Sequence, residues 1–241
     1  MTITSTVLNG EKWIGTHLAT VASQSFTNYD HIVIDAVSED HTAEIVRAEM
    51  VADQRIWLRC NEQRLSALEN CWKIWQDLPD DEIIVWLDGD DWLAHDQALE
   101  IVARAYCAEK EPWLTYGQFM FQDGEVGFAS PYPKGAHARL DPVWRATHLK
   151  TFRAGLVKRL NPEDLMRNGA WTELAIDRAV MYPLLEMAGD RYTCIHQILS
   201  VYNYNASWAA NRPKQELQLE LDEVARLRQM MPYPELVRRP W

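Results

Sequence analysis

The chain has 241 residues, 47% of them apolar, and 35 Asp and Glu against 24 Lys and Arg give it a net charge of −11. That length suits one α/β enzyme domain with a sizeable core, and the acidic balance excludes the basic footprint that nucleic acid or an anionic membrane surface requires. Cys60, Cys71, Cys107 and Cys194 form no Cys-x-x-Cys pair and are too few for a disulfide framework, so reduced thiols are expected. No apolar run approaches the roughly 20 residues of a spanning helix. The first residues carry no charged-then-apolar leader pattern, and a cytoplasmic protein is expected. Eleven Trp is a high count, which fits core packing or the lining of a sugar-sized cleft.

Residues 2–8 are β-prone and end at Asn9-Gly10. Trp13, Ile14, Leu18 and Val21 then recur at helical spacing. His31-Ile32-Val33-Ile34-Asp35 predicts a second strand, and Ser38 to Thr42 supply helix-starting residues for a helix over 43–51. Residues 55–58 predict a third strand, and Leu65, Leu68, Trp72 and Trp75 a third helix. Ile83-Ile84-Val85-Trp86-Leu87 is a continuous apolar run, as in a central strand covered on both faces, and it stops at Asp88-Gly89-Asp90-Asp91. A helix over about 96–106 follows. Strands alternating with helices imply a mostly parallel sheet, whose ligands bind beyond the carboxyl ends of the strands. Asp35 and the Asp88–Asp91 cluster both fall at such ends.

The second half is less regular. A strand is predicted over 113–121, a mobile loop over 122–140, a helix over about 173–187 and a strand over 192–202. Residues 213–231 predict a helix whose face of Leu217, Leu221, Val224 and Leu227 should be covered by the domain or by a second copy of the chain. The expected organisation is one catalytic domain over 1–212, divided near residue 110, with a helical tail over 213–241.

Oxygens on a tight turn after a buried strand can bind Mg²⁺ or Mn²⁺. An acidic turn that merely caps the next helix is the alternative. The surrounding stretches favour the metal. Asn9 follows the first strand; Val21-Ala22-Ser23-Gln24-Ser25-Phe26, Ile32-Val33-Ile34-Asp35, Ser38-Glu39-Asp40-His41-Thr42-Ala43-Glu44-Ile45, Asn70 and Trp86-Leu87-Asp88-Gly89-Asp90-Asp91-Trp92 follow in order. Over roughly the first 110 residues this pattern resembles the family-2 glycosyltransferases of GT-A fold. The resemblance implies a GT-A-like, Rossmann-like α/β fold: a mostly parallel central sheet flanked by helices, with a nucleotide-binding half (1–110) and a less regular acceptor-binding half (111–212). It implies transfer of a sugar from a nucleotide-diphosphate donor, a UDP-sugar among the candidates, to a carbohydrate or other hydroxyl acceptor, with inversion.

By the same resemblance Asp35 holds the base and ribose, Asp88 the ribose, and Asp88, Asp90 and Asp91 the Mn²⁺ or Mg²⁺ that bridges the phosphates. Asn9 joins the nucleotide side; Arg64 is a candidate there on its charge and position, with a surface cation as the default. Trp171-Thr172-Glu173-Leu174-Ala175-Ile176-Asp177-Arg178 falls where the family places its base. Asp177 is the closer match, and Glu173, four residues earlier, is expected on the same helix face. The family's second Asp after Asp35 is Ala36 here, its Tyr before Asn9 is Leu8, and its Glu before Asp177 is Ile176. Arg153, Lys158 and His196 are weaker candidates for the phosphates, and Trp113, Trp144, Trp171 and Trp208 for sugar stacking, with surface or core roles as the default. A nucleotidyltransferase would want a Gly-rich basic loop, of which Asn9-Gly10-Glu11-Lys12 is a poor version. A non-catalytic nucleotide-sugar-binding module would keep the binding Asp residues without a working base. A homo-oligomer through the C-terminal helix is a further expectation.

Overall fold

The structure, a computed structural model, describes residues 1–204, 213–239 and 241. Trp208 lies outside the described residues. The chain opens with β1 (Thr2–Val7), α1 (Ile14–Ala22), β2 (Asp30–Asp35), α2 (Thr42–Ala52), β3 (Ile56–Cys60), α3 (Ala67–Asp77) and β4 (Ile83–Trp86). A two-residue β5 (Trp92–Leu93), α4 (Ala98–Tyr106), β6 (Leu114–Phe121), β7 (Lys150–Arg153) and the single turn α5 (Ala154–Val157) follow. A small hairpin of β8 (Met166–Arg167) and β9 (Ala170–Trp171) leads to α6 (Ile176–Ala188), β10 (Tyr192–Tyr202) and α7 (Lys214–Gln229).

Eight strands form one sheet in the order β3-β2-β1-β4-β7-β6-β10-β5. β3, β2, β1 and β4 run parallel, as do β6 and β10, whereas β7 is antiparallel to both of its neighbours, β4 and β6. The start of β7 therefore lies at the same edge of the sheet as the ends of β1, β2 and β4. That edge receives Asn9, Asp35 and Asp88 from the first half of the chain, and His148 and Lys150 from the second.

Alternation along β4 divides the core. Ile84 and Trp86 face one layer with Leu68, Trp72 and Trp75 of α3, Phe152 of β7 and the buried face of α6. Val85 and Leu87 face the other with Val21 of α1, Leu99 and Val102 of α4 and Leu199 of β10. The period-2 geometry of a strand covered on both sides turns one apolar run into contacts with two layers.

Two expectations change. The 122–140 segment is pinned rather than free. Phe121 and Glu125 close a turn, Gln118 brackets Ala129 through both ends of its amide, and Ala129, Tyr132, Ala138 and Arg139 are buried. Arg139 forks onto Glu186 (2.6 and 2.9 Å) and donates Nη1 to the Leu227 carbonyl, joining the segment to α6 and α7. Arg139→Met is therefore expected to lower the unfolding free energy by about 3 kcal/mol or more in urea denaturation, because it strands a buried carboxylate.

The tail also differs in part. Val224 and Leu227 of α7 are buried against the domain, but Leu217 and Leu221 are 51% and 54% exposed. The domain covers the second half of that apolar face and leaves the first half open. Downstream, Leu236 donates its backbone N–H to the Met187 carbonyl, and Trp241 sets its ring edge-on to Trp113 at 5.4 Å. Among the described residues no helix is long and apolar enough to cross a membrane.

Candidate functional site

The Asp88–Asp91 turn sits directly on the end of β1. Gly89 donates its N–H to the Thr6 carbonyl at 3.2 Å, and a Cβ at this position would stand 2.8 Å from that same carbonyl oxygen. Glycine is required here for close approach. Asp91 closes the turn with an N–H bond to the Asp88 carbonyl at 3.0 Å.

Asp91 is 1% exposed. Its Oδ1 accepts the backbone N–H of Asn203, just beyond β10, at 2.8 Å. Its Oδ2 is buried with no hydrogen-bond partner and lies 3.6 Å from Nδ1 of His148. One ligand atom each from Asp88, Asp91 and His148 fall within 4.8 Å of one another. Asp90 is half-buried and lies outside that group of three. The His148 ring stacks on Tyr202 with centroids 5.0 Å apart and meets the edge of Phe119.

Burial pushes the Asp88 carboxyl up to about 6, against the pull of Lys150 and with added repulsion from Asp177 and Asp90. Burial, then Asp90 and Asp88, hold Asp91 well above the ordinary carboxylate value. Burial, then Lys150, depress His148 to about 3, so its imidazole is neutral near pH 7 and can offer a lone pair.

Lys150, at the start of β7, is fully buried. Its Nζ donates to Asp177 Oδ1 at 2.7 Å and lies 4.4 Å from the centre of the Trp86 ring. Burial opposes its charge, but Asp177 and Asp88 outweigh that and hold its pKa above the usual value. For Asp177, burial favours the neutral acid and Lys150 overcomes it, leaving the carboxyl below its ordinary pKa and ionised. Asp177 also occupies the first turn of α6, where the helix dipole favours a negative charge.

Glu173 is placed differently from expectation. Ala175 adopts a left-handed conformation (φ 48°), and the helix begins only at Ile176. Glu173 is exposed in the segment before it, so the shared-face argument with Asp177 does not apply.

On the nucleotide side, the Ser38 turn links the two predicted residues. Asn9 (φ 52°) donates its N–H to Ser38 Oγ at 2.9 Å and accepts the Glu39 N–H on Oδ1 at 2.8 Å. Asp35 accepts the Ser38 N–H on Oδ2 at 3.2 Å, while its buried Oδ1 has no partner. Asn70 accepts from Asn61 at 2.7 Å and leaves its own buried Nδ2 unpartnered. Arg64 is exposed in the loop before α3.

The weaker candidates have other work. Arg153 is held by Glu111 and the Asp81 carbonyl, and Lys158 by Asp80 at 2.7 Å. His196 is exposed where the β10–β6 register shifts. Trp113 belongs to the core, Trp144 packs on Tyr182 and Arg178, and Trp171 faces Trp72 at 5.7 Å.

His148 and Lys150 are the site residues that the sequence reading missed. The one available signal was Lys150 inside the run Leu149-Lys150-Thr151-Phe152, a lysine in a strand-like stretch. A second omission is a buried pair, His17 and His31, beneath the turn. Burial lowers the pKa of His17 to about 4, against its bond to the Asp91 carbonyl. Above pH 6.5 the group carries no proton in either state. Between 6.5 and about 4 the unfolded chain binds a proton that the folded chain refuses, so stability falls as pH falls. The metal-free wild type is therefore expected to lose about 2 kcal/mol relative to His17→Gln between pH 7.5 and pH 5, measured in urea.

The model of the family described as Glycosyl transferase family 2 matches residues 2–155. The chain belongs to that family. Among solved structures, TarS 1-349 of S. aureus aligns at TM-score 0.69 and 16% identity, covering 94% of this chain and 63% of its own. The mannosyltransferase PcManGT of Pyrobaculum calidifontis, in complex with GDP-Man and Mn²⁺, aligns at 0.65 and 15%, covering 93% and 64%. Glucosyl-3-phosphoglycerate synthase of Mycobacterium tuberculosis, in complex with Mn²⁺, UDP and phosphoglyceric acid, aligns at 0.62 and 16%, covering 94% and 76%. These likenesses establish the GT-A fold. The chain spans less than two thirds of the TarS fragment and of the mannosyltransferase. Among curated protein sequences none matches it.

Proposed function

We propose that this family-2 chain catalyses metal-dependent, inverting transfer of a sugar from a nucleoside-diphosphate donor to a hydroxyl acceptor. One observation carries the reading most. Lys150 binds Asp177, from the second half of the chain, and its charge also acts on Asp88 and Asp91 from the first. This supports a base at Asp177 beside a leaving-group site at Asp88 and Asp91.

Asp88, Asp91 and His148 would hold the cation. The test of fit is internal: the buried Asp91 Oδ2 lacks a partner, and the two carboxylates are poorly compensated by a neutral imidazole. Two carboxylates with one nitrogen suit Mn²⁺ better than Mg²⁺, which favours an all-oxygen shell. A cation there supplies charge stabilisation to the departing diphosphate. The residues do the rest. Asp35 Oδ1 and Asn70 Nδ2, a buried acceptor and a buried donor without partners, are suited to the nucleoside. Asn9 and Ser38 keep that pocket's turn in place. Asp177, ionised, takes the proton from the acceptor hydroxyl as its oxygen attacks the anomeric carbon, and Lys150 holds the carboxylate in place. One base and one displacement invert the sugar.

TarS has been solved in complex with UDP-GlcNAc, and the mannosyltransferase with GDP-Man, so both bases need trial. A thermal-shift series on the full chain is the direct test. A UDP-sugar with Mn²⁺ is expected to raise the melting temperature more than either alone; at 100 times the dissociation constant, binding adds about 2.7 kcal/mol. No shift from any UDP- or GDP-sugar with Mn²⁺ would remove the donor-binding reading.

A further inference from the structure

The buried stripe of α1 runs Ile14, His17, Leu18, Val21. His17, Thr20 and Gln24, three and four residues apart, are polar, and each bonds to a residue between the last acid of the carboxylate turn and Leu99. His17 Nδ1 meets the Asp91 carbonyl at 2.7 Å. Thr20 Oγ1 accepts the Leu93 N–H at 3.2 Å. Gln24 donates to the His95 carbonyl at 2.7 Å and accepts the Leu99 N–H at 3.0 Å. α1 and the residues just after it thus clasp residues 91–99 at three successive points, and the one beside the carboxylates is an imidazole.

The hydrogen-bond network fixes the form of that imidazole. A carbonyl oxygen accepts only, so His17 carries its proton on Nδ1. The neutral ring then presents a lone pair at Nε2, which lies 3.1 Å from Nε2 of His31. His31 must therefore carry its proton on Nε2, shared with Ser5 Oγ at 3.1 Å. Its Nδ1 is then an unprotonated nitrogen, and that atom is buried without a partner. Both rings are 0% exposed. A leucine at either position would fill the same space without the desolvation of a polar ring.

We infer that His17 is a positioning residue of the cation site. Locked in one tautomer by His31, it holds the Asp91 carbonyl and so aims the unpartnered Asp91 Oδ2 toward His148. The inference rests on the cation-binding reading proposed above. It adds an outer support from α1, through the Asp91 backbone, to the side chains that would touch the ion.

The test separates the bond from the packing. The amide nitrogen of Asn, like imidazole Nδ1, is attached to Cγ and reaches the same place. The amide of Gln is one carbon further out and matches Nε2, so it keeps a partner for His31 and loses the bond to Asp91. Mn²⁺ binding to the full chain is measured by electron paramagnetic resonance or calorimetry for the wild type, His17→Asn, His17→Gln and Asp91→Asn, with metal-free unfolding recorded in parallel. His17→Gln is expected to weaken Mn²⁺ about 10–100-fold, as outer-shell changes do, and His17→Asn to restore it to within about 3-fold of wild type. Equal Mn²⁺ affinity in His17→Gln and wild type overturns the inference while leaving the cation site intact. Equal losses in His17→Asn and His17→Gln also overturn it, because the effect would then follow packing rather than the Nδ1 bond. A wild type that takes up no Mn²⁺, or an Asp91→Asn variant that binds it fully, overturns the cation reading itself and the role of His17 with it.

Discussion

Asp177→Asn is expected to keep nucleotide affinity and lose about 10²–10⁴-fold in transfer rate, the usual contribution of a general base. Asn preserves the shape of the side chain but cannot accept the acceptor's proton. The 2.7 Å bond from Lys150 argues for the same outcome from the other side. A buried lysine beside a carboxylate keeps that carboxylate ionised, the form in which it can act as a base. Lys150→Met should therefore also slow transfer, and it should raise the pH at which the rate falls off on the acid limb. Glu173→Gln is expected to stay within a few-fold of wild type, since Glu173 is exposed and precedes the helix. Single-turnover rates with a fixed donor would measure all three. Near wild-type transfer by Asp177→Asn would mean that the base lies elsewhere.

Loss of Mn²⁺-dependent nucleotide binding is the expected result of Asp91→Asn, with Mn²⁺ affinity reduced by more than the about 10–100-fold typical of an outer-shell change. The same substitution should stabilise the metal-free protein near neutral pH. The reason is the sign of the linkage. Burial and its neighbours raise the pKa of Asp91, so the folded state resists ionisation that the unfolded chain accepts freely. Removing the charge relieves that penalty. In the wild type, Mn²⁺ affinity should also fall as pH drops through about 6, where Asp88 takes up a proton that competes with the ion. Calorimetry across pH 5–8, paired with metal-free melts, reads both effects. Unchanged Mn²⁺ binding in Asp91→Asn would dismantle the site.

The first half of the fold was legible because its signals are local. β4 is an unbroken apolar run that ends on acids, and α3 repeats its apolar residues at helical spacing. Asn9, Asp35 and Asp88 could be placed because a parallel strand delivers its next residue to the edge of the sheet where the candidate site lies. His148 and Lys150 follow the opposite rule. They stand at the start of an antiparallel strand of four residues, after the long irregular segment that follows β6. Nothing in the order of residues tells that β7 enters between β4 and β6, and a lysine read alone is a surface cation. Glu173 was misplaced because a left-handed Ala175 delays the helix, a conformation that alanine seldom takes. His17 sits in an apolar stripe and reads as a core position, which it is; its hydrogen bonds belong to tertiary structure. The exposed Leu217 and Leu221 show the limit of periodicity: it finds an apolar face but not how far the rest of the chain covers it.

Trp72 belongs to α3, and Trp171 lies six residues before Asp177. Their rings are 5.7 Å apart at 46°. Indoles at that separation and tilt share their excited states, and the resulting circular dichroism couplet depends steeply on distance and angle. The protein therefore carries a label-free optical gauge across its two halves. Trp75 and Trp86 form a second pair, 5.3 Å apart, wholly inside the first half, which serves as an internal reference. Subtracting the spectrum of Trp171→Phe would isolate the bridging pair. Any change in its couplet on mixing with donor or acceptor would report, in real time, how the segment leading to Asp177 moves against α3.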